Sequence, residues 1–161
     1  MIPGDRVRVT VAVAVTPEIA FEIFTREIDL WWRRGPRFRH FTGDHALIAI
    51  EPCEGGRVFE QAGADGPAQE SGRVLVWQPP ARLVFQWRIA NFTQGEHTQV
   101  EVLFEAAAGG TAVTVTHSGW AAIRSDHPVR HGRQVTEFID QTGRWWGSLL
   151  TSFRGYNQGT R

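Results

Sequence analysis

Cysteine is almost missing from this chain. Cys53 is the one thiol among 161 residues, so no disulfide can form within it and a reducing compartment is the expected setting. An excess of either charge is missing too: 17 basic residues face 17 acidic ones, which argues against a nucleic-acid or anionic-membrane partner held by bulk charge. No stretch of about twenty consecutive apolar residues is available to span a bilayer. The opening Met1-Ile2-Pro3-Gly4-Asp5-Arg6 lacks the basic start and apolar run of an export signal, and the expected protein is soluble and cytoplasmic. Also absent are a Gly-x-Ser-x-Gly elbow, a Walker loop and a dinucleotide fingerprint, so no cofactor of the common kinds is expected.

Tryptophan, by contrast, is abundant, with seven residues at positions 31, 32, 77, 87, 120, 145 and 146. Such a set is either an aromatic core or a wall for an apolar guest. The strongest periodic signal runs from about Arg133 to Tyr156, where Val135, Phe138, Ile139, Trp146, Leu149, Leu150 and Phe153 recur at three- and four-residue steps. Glu137, Gln141, Arg144, Ser148 and Ser152 fill the other side. That is a helix with one apolar stripe, and a stripe this wide needs a matching apolar surface.

The preceding residues supply one. Val7, Val9, Val11, Val13 and Val15 alternate with arginine, threonine and alanine, a first strand with one buried face. Thr16 then serves as N-cap and Pro17 takes the first helical position. Ala20, Phe21, Phe24 and Ile28 continue at helical spacing into Leu30, Trp31 and Trp32, as one short helix and a second, broken near Arg26. Further strands are expected over 46–50, 57–61, 72–77 and 82–89, then around Val100 to Glu105 and Val113 to His117. Gly55-Gly56 makes a tight turn by taking positive φ, and residues 62–71, rich in Gly, Ala, Asp and Pro, are expected to form a loop. The order strand, two short helices, six strands, long helix indicates a single α+β domain over 1–161. In it an antiparallel sheet curls around the terminal helix.

Several stretches resemble a known family in its own order: Phe21-Glu22-Ile23-Phe24-Thr25 leading to Trp31-Trp32, Pro52-Cys53-Glu54-Gly55-Gly56-Arg57, Gln78-Pro79-Pro80-Ala81-Arg82-Leu83-Val84-Phe85-Gln86-Trp87, and Gly110-Thr111-Ala112-Val113-Thr114-Val115-Thr116-His117-Ser118-Gly119-Trp120, with Trp145-Trp146-Gly147-Ser148-Leu149 in the last helix. On these the chain resembles the START-like (SRPBCC) superfamily, in the branch similar to the activator of the Hsp90 ATPase, single-domain bacterial type. The resemblance implies a helix-grip fold: a curved sheet of about six or seven strands around the C-terminal helix. It implies a cavity more than a reaction, because the superfamily includes lipid carriers, hormone receptors, cyclases and aromatases. The eukaryotic activators use a separate N-terminal domain, for which this chain has no room, so chaperone activation is not the leading expectation.

Strand parity and helix periodicity place Trp77, Phe85, Trp87, Phe104 and His117 inward from the sheet, with Phe21, Phe24, Trp146 and Leu150 from the helices. These residues are the expected ligand wall. Gly143 and Gly147, on the edge of the apolar stripe, each cost about 1 kcal/mol relative to alanine; they either open a pocket or let the helix approach the sheet. His117 offers a hydrogen bond to a ligand or an acid–base group, or is a satisfied core histidine. Arg57 and Glu60 lie on opposite faces of one strand, so one of them looks inward and needs a polar partner.

Other candidates are weaker. His127 and His131 have helical i,i+4 spacing but no evident third ligand, so no metal is expected. Cys53 beside Glu54 is a poor nucleophile, since the carboxylate raises its pKa. The basic run from Arg33 to His40 would suit an anionic head group or phosphate, but is read as a solvated loop. The leading reading is a module that binds a small apolar or aromatic molecule, as monomer or homodimer, without nucleic acid or membrane partners. A cyclase-, aromatase- or hydrolase-type enzyme is second, and a chaperone-linked interaction protein third.

Overall fold

The alternating valines form β1 (Arg6–Val13), the first edge of the sheet. In the computed structural model, residues 6–88, 97–119 and 135–160 are described, with side chains of the last helix from 140 to 158. The Thr16 hydroxyl caps α1 (Pro17–Arg26) by accepting the Ile19 N–H at 3.4 Å, and the chain turns at once into α2 (Ile28–Trp31). There follow β2 (Leu47–Ile50), β3 (Arg57–Gln61), β4 (Ala68–Gln78), β5 (Arg82–Trp87), β6 (Thr98–Ala107), β7 (Gly110–Ser118) and α3 (Val135–Thr160). One antiparallel seven-stranded sheet results, in the order β1-β7-β6-β5-β4-β3-β2. It curls into a half-barrel around α3, which is the helix-grip architecture.

Two β-bulges on β4 bend this sheet. Phe59 pairs with Glu70 and Val58 with Gly72, leaving Ser71 as an extra residue; Val74 pairs with Phe85 and Val76 with Val84, leaving Leu75. An extra residue on one strand increases local twist and bends the ladder. Gly72 is required here, because a Cβ at that position would run into the Gln86 backbone carbonyl. β4 therefore begins at Ala68, four residues before the sequence-based expectation. Its first half pairs with β3 although Gln69 and Glu70 carry no apolar alternation. β5 ends at Trp87, and Ile89 lies outside the described residues.

The core joins α1, α2, α3 and the inner sheet face. Val7, Val13, Phe24, Trp31, Val102, Val115, Leu149 and Phe153 are all nearly inaccessible. On α3 the expected stripe is observed from Trp146 to Phe153, while Val135, Phe138 and Ile139 lie outside the described side chains. Ser152, expected on the outer side of α3, instead lies at its seam with α2, and the Ser148 backbone carbonyl meets Arg33, the residue that follows Trp32. The Ser152 hydroxyl donates to Trp31 O at 2.5 Å, and Ser148 O accepts from Arg33 Nε at 2.9 Å.

The basic run is solvated only in part: Arg34, Arg37 and His40 are exposed, but Arg39 is not. Arg39 is 4 % exposed, and its guanidinium donates to Asp29 Oδ1 (2.6 Å), Asp29 O (3.0 Å), Trp32 O (2.6 Å) and Arg33 O (3.2 Å). A buried guanidinium is tolerable when its donors are this fully used. Asp29 Oδ1 also accepts the Ile48 N–H at 3.0 Å, so one ion pair staples α2, β2 and the loop. Between Arg57 and Glu60, it is Glu60 that turns inward. It is buried and accepts the backbone N–H groups of His40 (2.8 Å) and Phe41 (3.1 Å). Arg57, on the other face, pairs with Glu51 at 3.1 Å and lies over the Phe59 ring.

Candidate functional site between the sheet and the last helix

Aromatic side chains from both layers fill the bowl in two groups. Under α1, Phe21 meets Trp77 and Phe104 at 5.0 and 5.1 Å between ring centroids, and Phe24 meets Phe104 and Phe153 at 5.6 and 5.4 Å. At the other end, where β5 finishes, β6 begins and β7 finishes, Trp32 contacts Trp87 (5.6 Å), Trp145 (5.8 Å) and Trp146 (5.7 Å). Phe85 touches Trp87 at 6.3 Å. Most of these contacts are tilted or edge-to-face, the geometry ring quadrupoles favour. All nine sequence-predicted wall residues thus face one interior. Leu150 lies among them at 1 % exposure, and Trp77 is the partly buried member.

A polar chain crosses the second aromatic group. Strand parity sends His117 inward from β7, where it is 1 % exposed. Trp146 Nε1 lies 2.9 Å from His117 Nδ1, and His117 Nε2 lies 2.7 Å from Thr98 Oγ1. An indole N–H only donates, so Nδ1 must accept and the imidazole proton resides on Nε2. That proton is donated to the Thr98 hydroxyl, which in turn donates to Trp87 O at 3.1 Å. The tautomer follows from the network. Burial pushes the His117 pKa down from 6.5 to about 3, because a charged imidazolium in this apolar surround would be poorly solvated. His117 is therefore neutral at physiological pH with both nitrogens engaged, suited to positioning rather than to moving a proton.

The two lid-helix glycines have different surroundings. A Cβ on Gly143 would make an ordinary contact with Val7 Cγ2 at 3.4 Å, where α3 passes β1; a Cβ on Gly147 would meet nothing within 4 Å. Thr98, Trp32 and Trp145 were not among the expected wall residues. Thr98 was findable, since parity with Val100, Val102 and Phe104 puts its hydroxyl on the inner face of β6. Cys53 is exposed in the β2–β3 turn, where Gly55 takes the expected positive φ (+83°) and Gly56 does not; a Cβ on Gly56 would instead run into the Glu51 carbonyl. His127 and His131 lie outside the described residues. Among the described residues no group of three or more His, Cys, Asp or Glu side chains is placed to hold a metal, and no helix is long and apolar enough to cross a membrane.

Comparison with known proteins bears on this architecture. Residues 14–142 match the model of the family described as activator of Hsp90 ATPase homolog 1-like protein. The chain belongs to that family. Several solved structures share its fold. Protein MLL2253 from Mesorhizobium loti aligns at 17 % identity over 97 % of this chain and 98 % of its own, with a TM-score of 0.66. The Aha1 dimer from Colwellia psychrerythraea, solved in solution, aligns at 18 % identity over 94 % of each chain, with a TM-score of 0.62. SA2116 from Staphylococcus aureus aligns at 16 % identity over 96 % of this chain and 94 % of its own, with a TM-score of 0.66. No curated protein sequence matches the chain. The activator-homologue family and the helix-grip fold expected from the sequence are thus both met.

Proposed function

We propose that this activator-homologue protein binds a small hydrophobic or aromatic molecule between its sheet and α3, at the end of the bowl where Trp87, His117 and Trp146 meet. The observation that carries this reading is the Trp146–His117–Thr98 chain set within a wall of aromatic rings. An apolar lining with a few fixed polar groups is the usual make-up of a small-molecule site. A guest displacing or joining this chain would gain a fixed donor or acceptor in a dry environment, where such bonds discriminate strongly.

The cyclase, aromatase or hydrolase reading needs an accessible acid or base. His117 offers none while both ring nitrogens are bonded. For a chaperone-linked role the basic run is a smaller handle than its charge suggests, since Arg39 is buried on Asp29, while Arg34, Arg37 and His40 remain exposed. Either a monomer or a homodimer is compatible with ligand binding. Titration with 2-naphthol, followed through the indole Nε1–H resonances, tests the proposal. Saturating movement of the Trp146 and Trp87 signals is the expected result, and signals that stay in place up to the solubility limit would overturn it.

A further inference from the structure

A second site lies outside the bowl, on the seam between α2, the following loop and α3. There an open depression of about 410 Å³ is lined by Asp29, Leu30, Trp32, Arg33, Phe38 and Ser152, with Arg34 at its side. Its charge is unbalanced. Asp29 is the one acidic residue of the lining, and its carboxylate is already held by the buried Arg39 at 2.6 Å. Arg34 reaches Asp29 only at 3.4 Å and spends Nη1 on Ala46 O at 3.1 Å. Arg33 is half-buried and fixed through Nε to Ser148 O at 2.9 Å, and its two terminal nitrogens have no protein partner among the described residues. That leaves the end-on fork of the guanidinium free in a fixed orientation, the arrangement that receives a carboxylate or phosphate through two parallel N–H···O bonds.

The depression is not only cationic. Leu30 is 64 % exposed, the most exposed large hydrophobic side chain among the described residues, and it lines the same hollow. An apolar side chain beside a preset guanidinium fits a ligand that is itself amphipathic.

We propose that this seam is a binding site for a small amphipathic oxyanion, with a carboxylate or phosphate head on the Arg33 fork and a short apolar tail against Leu30. It is separate from the bowl. Because Arg33 also clasps α3 through Ser148 O, occupancy of the fork would be felt at the helix that lids the bowl.

The test uses the intact chain with sodium octanoate and, separately, inorganic phosphate, and follows the Arg33 Nε–H and Leu30 methyl resonances. Octanoate is expected to move both sets of signals in a saturable way. Phosphate should move the Arg33 signal alone, with at least tenfold weaker affinity. Arg33→Gln should weaken octanoate binding at least tenfold, whereas Arg73→Gln, on β4 and bonded to Gly55 O and Glu70 away from the depression, should leave it unchanged. Octanoate that shifts only the Trp146 indole signal, or that binds Arg33→Gln as tightly as the parent, would overturn the proposal while leaving the bowl site standing. Phosphate binding as tight as octanoate would overturn the amphipathic assignment. Should Arg33→Gln fail to fold, a static Arg33 Nε–H signal in the unmodified chain is sufficient refutation.

Discussion

Acidification should destabilise this protein through His117, and the size of the effect can be worked from its surroundings. The imidazole is buried, neutral and bonded on both nitrogens, with its pKa pushed down from 6.5 to about 3. Between those values the unfolded chain binds a proton that the folded chain refuses. Stability from this group is thus fully present above pH 6.5 and is lost as pH falls toward 3, with a slope approaching 1.4 kcal/mol per unit, about 2 kcal/mol between pH 7 and pH 5. Replacing the group isolates it from the carboxylates. His117→Leu leaves the Trp146 N–H without its acceptor, at a cost of about 1–3 kcal/mol at pH 7, but it removes the titration. The stability gap between parent and variant should therefore shrink by about 2 kcal/mol from pH 7 to pH 5. Urea unfolding followed by tryptophan fluorescence at pH 7, 6 and 5 measures that gap. A gap constant to within about 0.3 kcal/mol across the range, smaller than the usual coupling error, would show that the imidazole is not held neutral as described.

Three further outcomes are expected. Arg39→Met should cost about 3 kcal/mol, because it leaves the part-buried Asp29 carboxylate without its main counter-charge. Urea unfolding gives the magnitude, and faster hydrogen exchange at the Ile48 amide, which Asp29 also accepts, gives the location. Gly147→Ala should raise stability by up to about 1 kcal/mol, since the new methyl meets nothing and helix propensity improves; Gly143→Ala, against Val7, should gain less. Asn157 is 2 % exposed and its Oδ1 has no hydrogen-bond partner among the described residues, although Nδ2 donates to Phe153 O at 2.7 Å. Asn157→Leu should be neutral or stabilising by thermal melt, because removing an unsatisfied buried carbonyl offsets the loss of one bond.

Much of this architecture was legible in the residues because it rests on local periodicity. The valines of β1, the Thr16-Pro17 helix start and the 3.6-residue stripe of α3 each bury one face through side chains close in sequence. His117 could be aimed inward by parity alone. Its partners could not be named, since Trp146 lies 29 residues away and on another layer. Thr98 was missed because the expected strand began at Val100, although the same parity extends to it. The first half of β4 was lost because a bulge at Ser71 interrupts alternation just where polar residues dominate. The run from Arg33 to His40 misled for a different reason: composition counts Arg39 as a surface charge, and only the folded chain brings Asp29 and three backbone carbonyls around it. Of Arg57 and Glu60, only the folded loop, which presents the His40 and Phe41 amides, selects the inward member.

The central claim, that the space between sheet and α3 receives a small apolar molecule, is tested most directly by native mass spectrometry. The protein would be measured as purified and again after incubation with a mixed panel of small aromatic and aliphatic compounds, each time before and after denaturation. A discrete added mass of one equivalent that disappears on denaturation, and that Trp146→Phe weakens, is the predicted result. The bare protein mass in every condition would contradict it and assign the aromatic interior to packing alone.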